Sequence, residues 1–206
     1  MVALEMLGDE YDGEKIRVIA APGDFARASA LQLGAEQFSS EDLLFFIDVD
    51  MVYDAAVLRR VRWNTVLGKT VYFPIVFSQY NPEVNGIPGV TIDNDSGYWR
   101  QFGFGIVSIF HADLEAVGGL DVSIKGWGKE DVDLYDRVVH SNLTVVRAPD
   151  PGLIHVYHPV DCNTNLPQAQ YDMCLGSKWS NIASEQTLAK IIAEQHSDLL
   201  KQNFRR

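Results

Sequence analysis

The sequence predicts an α/β fold in a single domain, and three observations carry that prediction. Strand-like and helix-like periodicities alternate along the chain. A short apolar run at 43–47, LLFFI, reads as a central buried strand. No internal repeat and no linker divides the 206 residues, a length that suits one sizeable core.

The elements follow in order. KIRVIAA (15–21) reads as a strand closed by Pro22-Gly23. FARASALQLGAEQF (25–38) spaces Ala28, Leu31, Ala35 and Phe38 as a helix does. After the 43–47 strand, Asp54 is placed to cap a helix over 55–66 that stops at Gly68. TVYFPIVF (70–77) is a strand whose Pro74 points to an edge or a bulge. Residues 78–101 show no periodicity and read as a long loop. FGFGIVSIF (102–110) mixes glycine with apolar residues, as where backbone approaches a ligand closely. A short helix is expected at 112–119, and an amphipathic one at 130–142 with Val132, Tyr135 and Val139 inward. Strands at 143–148 and 152–158 follow, then a helical tail from Gln168 with a break near Ser180.

Composition narrows the class. Hydrophobic residues make up 47% and charged residues 22%, as in ordinary globular domains. No run of about 18 apolar residues offers a membrane span. The first 20 residues are polar and acidic and do not read as a signal peptide. A net charge of −11 argues against nucleic acid as a partner. Cys162 and Cys174 either stay free or form one disulfide, which needs an oxidising compartment. Sequons at Asn94 and Asn142 point the same way.

Three motifs can carry chemistry. FFIDVD (45–50) ends an apolar strand in Asp48 and Asp50, and residues two apart on a strand share a face. At the carboxyl end of a strand, that face suits a divalent cation and ribose hydroxyls, although for such a pair taken alone a solvated strand end is the commoner explanation. His155 and His158 stand three apart after an apolar strand. They reach one metal only if the strand ends near His155. With Asp50 they leave coordination sites that diphosphate oxygens can fill, a mixed set suited to manganese but also to zinc or iron. Gly126-Trp127-Gly128 then precedes Glu130 and Asp131 at a helix start. First-turn acids serve the helix dipole in any protein, but capping alone does not call for the tryptophan, a residue that stacks on sugar rings.

The order and spacing of D-V-D (48–50), G-W-G-x-E-D (126–131) and H-x-x-H (155–158) resemble the β1,4-galactosyltransferase superfamily. FARA (25–28) is similar to its F-x-R-A motif. Longer stretches, NTVLGKTVYFPIVFSQYNP (64–82), YWRQFGFGIVSIF (98–110), GGLDVSIKGWGKEDVDLY (118–135) and QYDMCLGSK (170–178), resemble the C-terminal catalytic domain of chondroitin sulfate synthases. The likeness runs over residues 15–190. His155 matches the chondroitin synthases, whereas galactosyltransferases carry Met there.

The resemblance implies a GT-A nucleotide-sugar-binding fold with a mixed, mainly parallel central sheet flanked by helices. It implies an inverting, Mn²⁺-dependent transferase moving N-acetylgalactosamine from UDP-GalNAc to the 4-hydroxyl of a glucuronate-ended chondroitin chain. Asp50, His155 and His158 would hold the metal, and Asp48 the uridine ribose. Phe25 and Arg27 would lie on the phosphate side, and Trp127 with Gly128 would close over the donor. Asp131 would be the general base and Glu130 would orient the acceptor. Gly103 stands where galactosyltransferases carry a bulky tyrosine, leaving room for the acetamido group.

The opening strand and loop of the GT-A domain, a membrane anchor and an N-terminal glucuronosyltransferase-like domain are not found. The chain is therefore expected to be an N-terminally truncated single domain (1–206) of a type II membrane protein of the Golgi lumen. The rival readings are a β1,4-galactosyltransferase, a weakly active partner of a homologous chondroitin synthase, and an unrelated oxygenase or hydrolase with a two-His-one-carboxylate metal.

Overall fold

A computed structural model describes residues 17–195, apart from Pro88, Val90 and Trp127. The elements run α1 (Arg27–Ala35), β1 (Leu43–Phe46), β2 (Met51–Tyr53), α2 (Ala55–Asn64), β3 (Thr70–Tyr72), β4 (Ile75–Gln79), α3 (Pro82–Asn85), β5 (Gly97–Trp99), β6 (Val107–Phe110), α4 (His111–Ala116), α5 (Glu130–Val139), β7 (Thr144–Val146), β8 (Pro149–His155), α6 (Gln168–Ser180) and α7 (Glu185–Gln195). The protein is α/β with mixed sheets and flanking helices, as the sequence predicts. Instead of one central sheet, the described residues form two four-stranded sheets, ordered β1-β6-β3-β7 and β2-β8-β4-β5.

Pairing departs from the mainly parallel expectation. Only β3–β7 and β4–β8 are parallel among the described strands, and the other neighbours are antiparallel. Pro74 explains part of this. It splits the expected 70–77 strand, so that β3 joins the first sheet and β4 the second. Alternation around the break feeds two cores. Val71 and Phe73 enter a cluster with Leu44, Val107 and Leu134, while Tyr72 enters another with Val57 and Leu153. The β1 run is apolar throughout for the same reason: Leu44 and Phe46 face the first core, and Leu43 and Phe45 pack on the second. Although covered on both faces, β1 is the end strand of its sheet among the described strands rather than a central one.

From strand to strand the chain passes between the sheets five times: directly at 47–50, 73–74, 100–106 and 147–148, and by way of α2 between β2 and β3. The direct crossings form a seam. The second core is locked beside it by Asp150, which is fully buried and accepts from Arg60 (Nε, 2.8 Å) and the Tyr72 hydroxyl (3.1 Å). The Asp54 side chain caps α2 as expected, accepting from the Val57 N–H at 3.0 Å.

Three expectations are corrected. Described residues 17–21 of the expected first strand are exposed and form no strand. A strand needs a partner for its backbone groups, and none is present among the described residues; Lys15 and Ile16 lie outside them. The 78–101 loop contains α3, capped by Asn81, and β5, which pairs with β4 (Phe77 opposite Trp99). Gly97 permits that pairing, because a Cβ there would lie 2.3 Å from the Ser78 carbonyl oxygen. In α5 the buried residues are Glu130, Leu134 and Val138, one helix row away from the expected face. Val132 and Val139 are exposed, and Tyr135 packs on the core edge. No helix among the described residues is long and apolar enough to cross a membrane.

Candidate active site

Asp48 and Asp50 lie in the first crossing, just past β1, and take different partners. One Asp48 oxygen accepts from Arg27 Nε at 3.1 Å and Nη2 at 2.8 Å. Arg27 also donates to Glu130 Oε1 (3.2 Å) and the Gly105 carbonyl (3.0 Å). This one guanidinium, almost buried at the start of α1, thus ties three segments together. Gly105 has no side chain where a Cβ would come within 3.1 Å of Arg27 Nη2.

Asp50 turns to the histidines instead. Strand β8 ends at His155, the condition the spacing demanded. Val156 N–H then donates to the Asp50 carbonyl (2.9 Å) and Tyr157 N–H to Gln79 Oε1 (3.1 Å), so the chain turns and His158 returns to the site. Asp50 Oδ2 lies 3.0 Å from His158 Nε2 and 3.6 Å from His155 Nε2. Burial lowers the His155 pKa to about 4, and the Arg100 charge adds to the effect. Its imidazole is therefore neutral at physiological pH, and the 3.6 Å approach to Asp50 is not an ion pair.

This trio fits a metal. One potential ligand atom from each residue lies within 4.8 Å of the others, near the span of about 4 Å that two bonds of about 2.1 Å allow. The atoms that approach one another are Asp50 Oδ2 and the two Nε2 nitrogens, while the buried Asp50 Oδ1 and His155 Nδ1 have no hydrogen-bond partner among the described residues.

Glu130 and Asp131 open α5 after Lys129, whose φ of 77° lies in the left-handed region, as do Gly126 and Gly128. That backbone brings both carboxylates to the seam. A bridge between Ala26 and Gly126 ties this loop to the start of α1, and Gln170 of α6 donates to the Lys125 (3.1 Å) and Gly128 (3.0 Å) carbonyls. Glu130 is almost fully buried, and desolvation raises its pKa while Arg27 pulls the other way. Its Oε2 has no hydrogen-bond partner among the described residues. Asp131 Oδ2 accepts from the Phe104 N–H at 3.2 Å.

The site residues converge on one cleft. A compartment of about 1500 Å³ is lined by Phe25, Arg27, Asp48, Asp50, His155 and His158. An adjoining pocket shares Arg27, Asp48 and His155 and adds Gly103, Gly128, Glu130 and Asp131. Phe25 is exposed at its edge. Trp127 lies outside the described residues. Gly103 is closely packed: a Cβ there would lie 2.7 Å from Arg100 Cδ.

Sequence reasoning missed two cations. Arg100 borders both compartments. Arg147 stacks over Phe104, 4.5 Å from its centroid, donates to the Gln101 and Gly103 carbonyls, and so braces the glycine-rich crossing. Phe104 in turn stacks on Tyr135 at 3.9 Å. Neither arginine belongs to the three motifs that carry chemistry, although Arg100 falls within YWRQFGFGIVSIF, and their contacts span 22 to 81 positions in sequence. The cysteines form a disulfide, Cys162–Cys174, which fastens the segment after His158 to α6.

Fold and site together define an α/β protein with a carboxylate–imidazole trio and a carboxylate pair sharing one cleft. Residues 2–188 match the family model described as chondroitin N-acetylgalactosaminyltransferase, and the chain belongs to that family of glycosyltransferases. It is 43% identical over 192 residues to chondroitin sulfate synthase 3 of Mus musculus, covering 90% of this chain and 22% of that protein. It is 37% identical over 214 residues to chondroitin sulfate N-acetylgalactosaminyltransferase 2 of Mus musculus, covering 98% and 40%. The chain thus spans well under half the length of these curated relatives. The solved catalytic domain of Drosophila beta1,4galactosyltransferase 7, in complex with xylobiose, is 19% identical at a TM-score of 0.47, over 74% of this chain and 60% of that one.

Proposed function

We propose that the chain carries the catalytic centre of an inverting, metal-dependent transferase with a GT-A fold. It moves N-acetylgalactosamine from UDP-GalNAc to the 4-hydroxyl of a terminal glucuronate during chondroitin synthesis. The observation that supports this best is the meeting of the Asp50–His155–His158 trio with the Glu130–Asp131 pair across a single cleft. Family membership supplies the substrate class.

Asp50, His155 and His158 would hold the cation, with Mn²⁺ favoured by the mixed nitrogen and oxygen donors. Bound there, it would supply charge neutralisation for the departing diphosphate. Asp131 takes the proton from the acceptor hydroxyl as that oxygen attacks the anomeric carbon. Its Oδ2 is fixed by Phe104 N–H, which leaves Oδ1 to face the acceptor. Glu130, held through Oε1 by Arg27, offers its unpartnered Oε2 to orient the same sugar. Asp48, oriented by Arg27, serves the ribose. In-line attack turns an α-linked donor into a β-linked product. The disulfide suits an oxidising lumen, in keeping with the Golgi.

The test is product analysis with radiolabelled UDP-GalNAc and a glucuronate-ended chondroitin oligosaccharide. The expected product is a single β1,4-linked N-acetylgalactosamine. Transfer from UDP-Gal in preference, or metal-independent transfer, would overturn the reading.

A further inference from the structure

We infer that Arg100 is a diphosphate-binding residue of the cleft, an assignment that rests on the nucleotide-sugar reading above. The F-x-R-A resemblance gave the phosphate side to Arg27. Arg27, however, is committed to two carboxylates and a carbonyl, with hydrogen bonds from Nε, Nη1 and Nη2. Its charge is already balanced, so it organises the site from within.

Arg100 is held differently. It follows β5 in the crossing at 100–106 and lines both compartments of the cleft, as His155 and Asp48 do. Nε donates to Ser78 Oγ at 2.9 Å and Nη2 to Asn181 Oδ1 at 3.2 Å. Ser78 is fully buried, and Asn181 Oδ1 also accepts from the Tyr98 hydroxyl at 2.9 Å, so both anchors are themselves fixed. Both are neutral. Among the described residues no carboxylate pairs with Arg100, and its Nη1 makes no hydrogen bond. The guanidinium is therefore oriented without being neutralised, in a chain whose net charge is −11. A planar fork with free N–H groups matches the oxygens of a phosphate. The glycine-rich crossing makes room for it, since a Cβ at Gly103 would lie 2.7 Å from Arg100 Cδ and 3.1 Å from Cγ. The compartment that Arg100 shares with the metal trio is the one in which a diphosphate has to lie.

The test uses the whole chain with Mn²⁺ present. Phenylglyoxal modification of Arg100, read by peptide mass, is expected to be slowed by UDP and by inorganic pyrophosphate but not by uridine. Calorimetry of Arg100→Met is expected to show UDP binding about tenfold to a hundredfold weaker, with uridine and Mn²⁺ affinities unchanged. Arg100→Lys, which keeps the charge but loses the fork, is expected to fall between. A wild-type chain that binds no UDP overturns the nucleotide reading itself. UDP that binds but leaves Arg100 unprotected, or binds a folded Arg100→Met equally well, overturns the assignment alone. Protection by glucuronate in place of UDP also overturns it, moving Arg100 to the acceptor.

Discussion

Arg27 grips a single oxygen of Asp48 with two of its nitrogens, at 2.8 and 3.1 Å, and reaches Glu130 with a third. Because Glu130 is almost fully buried, removal of Arg27 leaves a buried carboxylate without its counter-charge. Arg27→Met is expected to lose about 3 kcal/mol, measured by urea unfolding. Arg27→Met/Glu130→Gln should recover much of that loss.

The same pair has a pH signature. Desolvation raises the folded pKa of Glu130, and loss of Arg27 raises it further. A carboxyl with a raised folded pKa binds more protons folded than unfolded, so its contribution to stability falls as pH rises between the two pKa values. The Arg27→Met deficit should be largest near neutral pH and shrink on acidification, as Glu130 takes up a proton. Urea midpoints for both chains at several pH values would show this. A deficit independent of pH would mean that Glu130 is not the group left exposed to loss of Arg27.

His158 tests the metal trio with least risk to the fold, because it is exposed and lies beyond β8. Loss of a group that only supports a ligand costs about tenfold to a hundredfold in metal affinity, and loss of a ligand should exceed that. Mn²⁺ titration of His158→Ala followed by calorimetry checks it; wild-type affinity would remove His158 from the ligand set.

Asp131→Asn should separate chemistry from binding. Turnover is expected to fall by about 10² to 10⁴, while UDP affinity holds. The amide oxygen can still accept from Phe104 N–H, so the local structure survives. Full turnover would pass the base role to Glu130.

Gly103 divides two explanations. If it serves only the acetamido group, Gly103→Ala should bind UDP, which carries no sugar, as well as wild type does. Its packing on Arg100 predicts weaker UDP binding instead. The φ of Gly103 lies outside the left-handed region, so alanine adds no backbone strain there.

Much of the site was legible because its motifs are local. Asp48 with Asp50, and His155 with His158, sit at strand ends that the apolar runs mark out. What stayed hidden depends on distant partners. Arg100 lies in a stretch without periodicity, and only the pairing of β5 with β4 places it at the cleft. The inward face of α5 was misjudged because Val132, Leu134, Tyr135, Val138 and Val139 fill two neighbouring stripes. Glu130 decides between them by facing Arg27, on the row of Leu134 and Val138. The 17–21 segment is apolar enough for a strand, but apolarity cannot provide the partner a strand needs.

Pro74 does not line the cleft, yet it sits at one of the four places where the chain steps directly from one sheet to the other. Asp48 and Asp50 occupy another of these, Arg100, Gly103 and Gly105 a third, and Arg147 the last. Part of the candidate site is thus mounted on the joints between the two panels, while Arg27, Glu130 and Asp131 come from helices and His155 from the end of β8. A change in the gap between the panels would shift Asp48, Asp50, Arg100 and the Gly103–Gly105 backbone in concert. Substitutions that preserve each sheet but alter its spacing from the other are therefore expected to impair every step at once, and those confined to one panel's outer face to impair none.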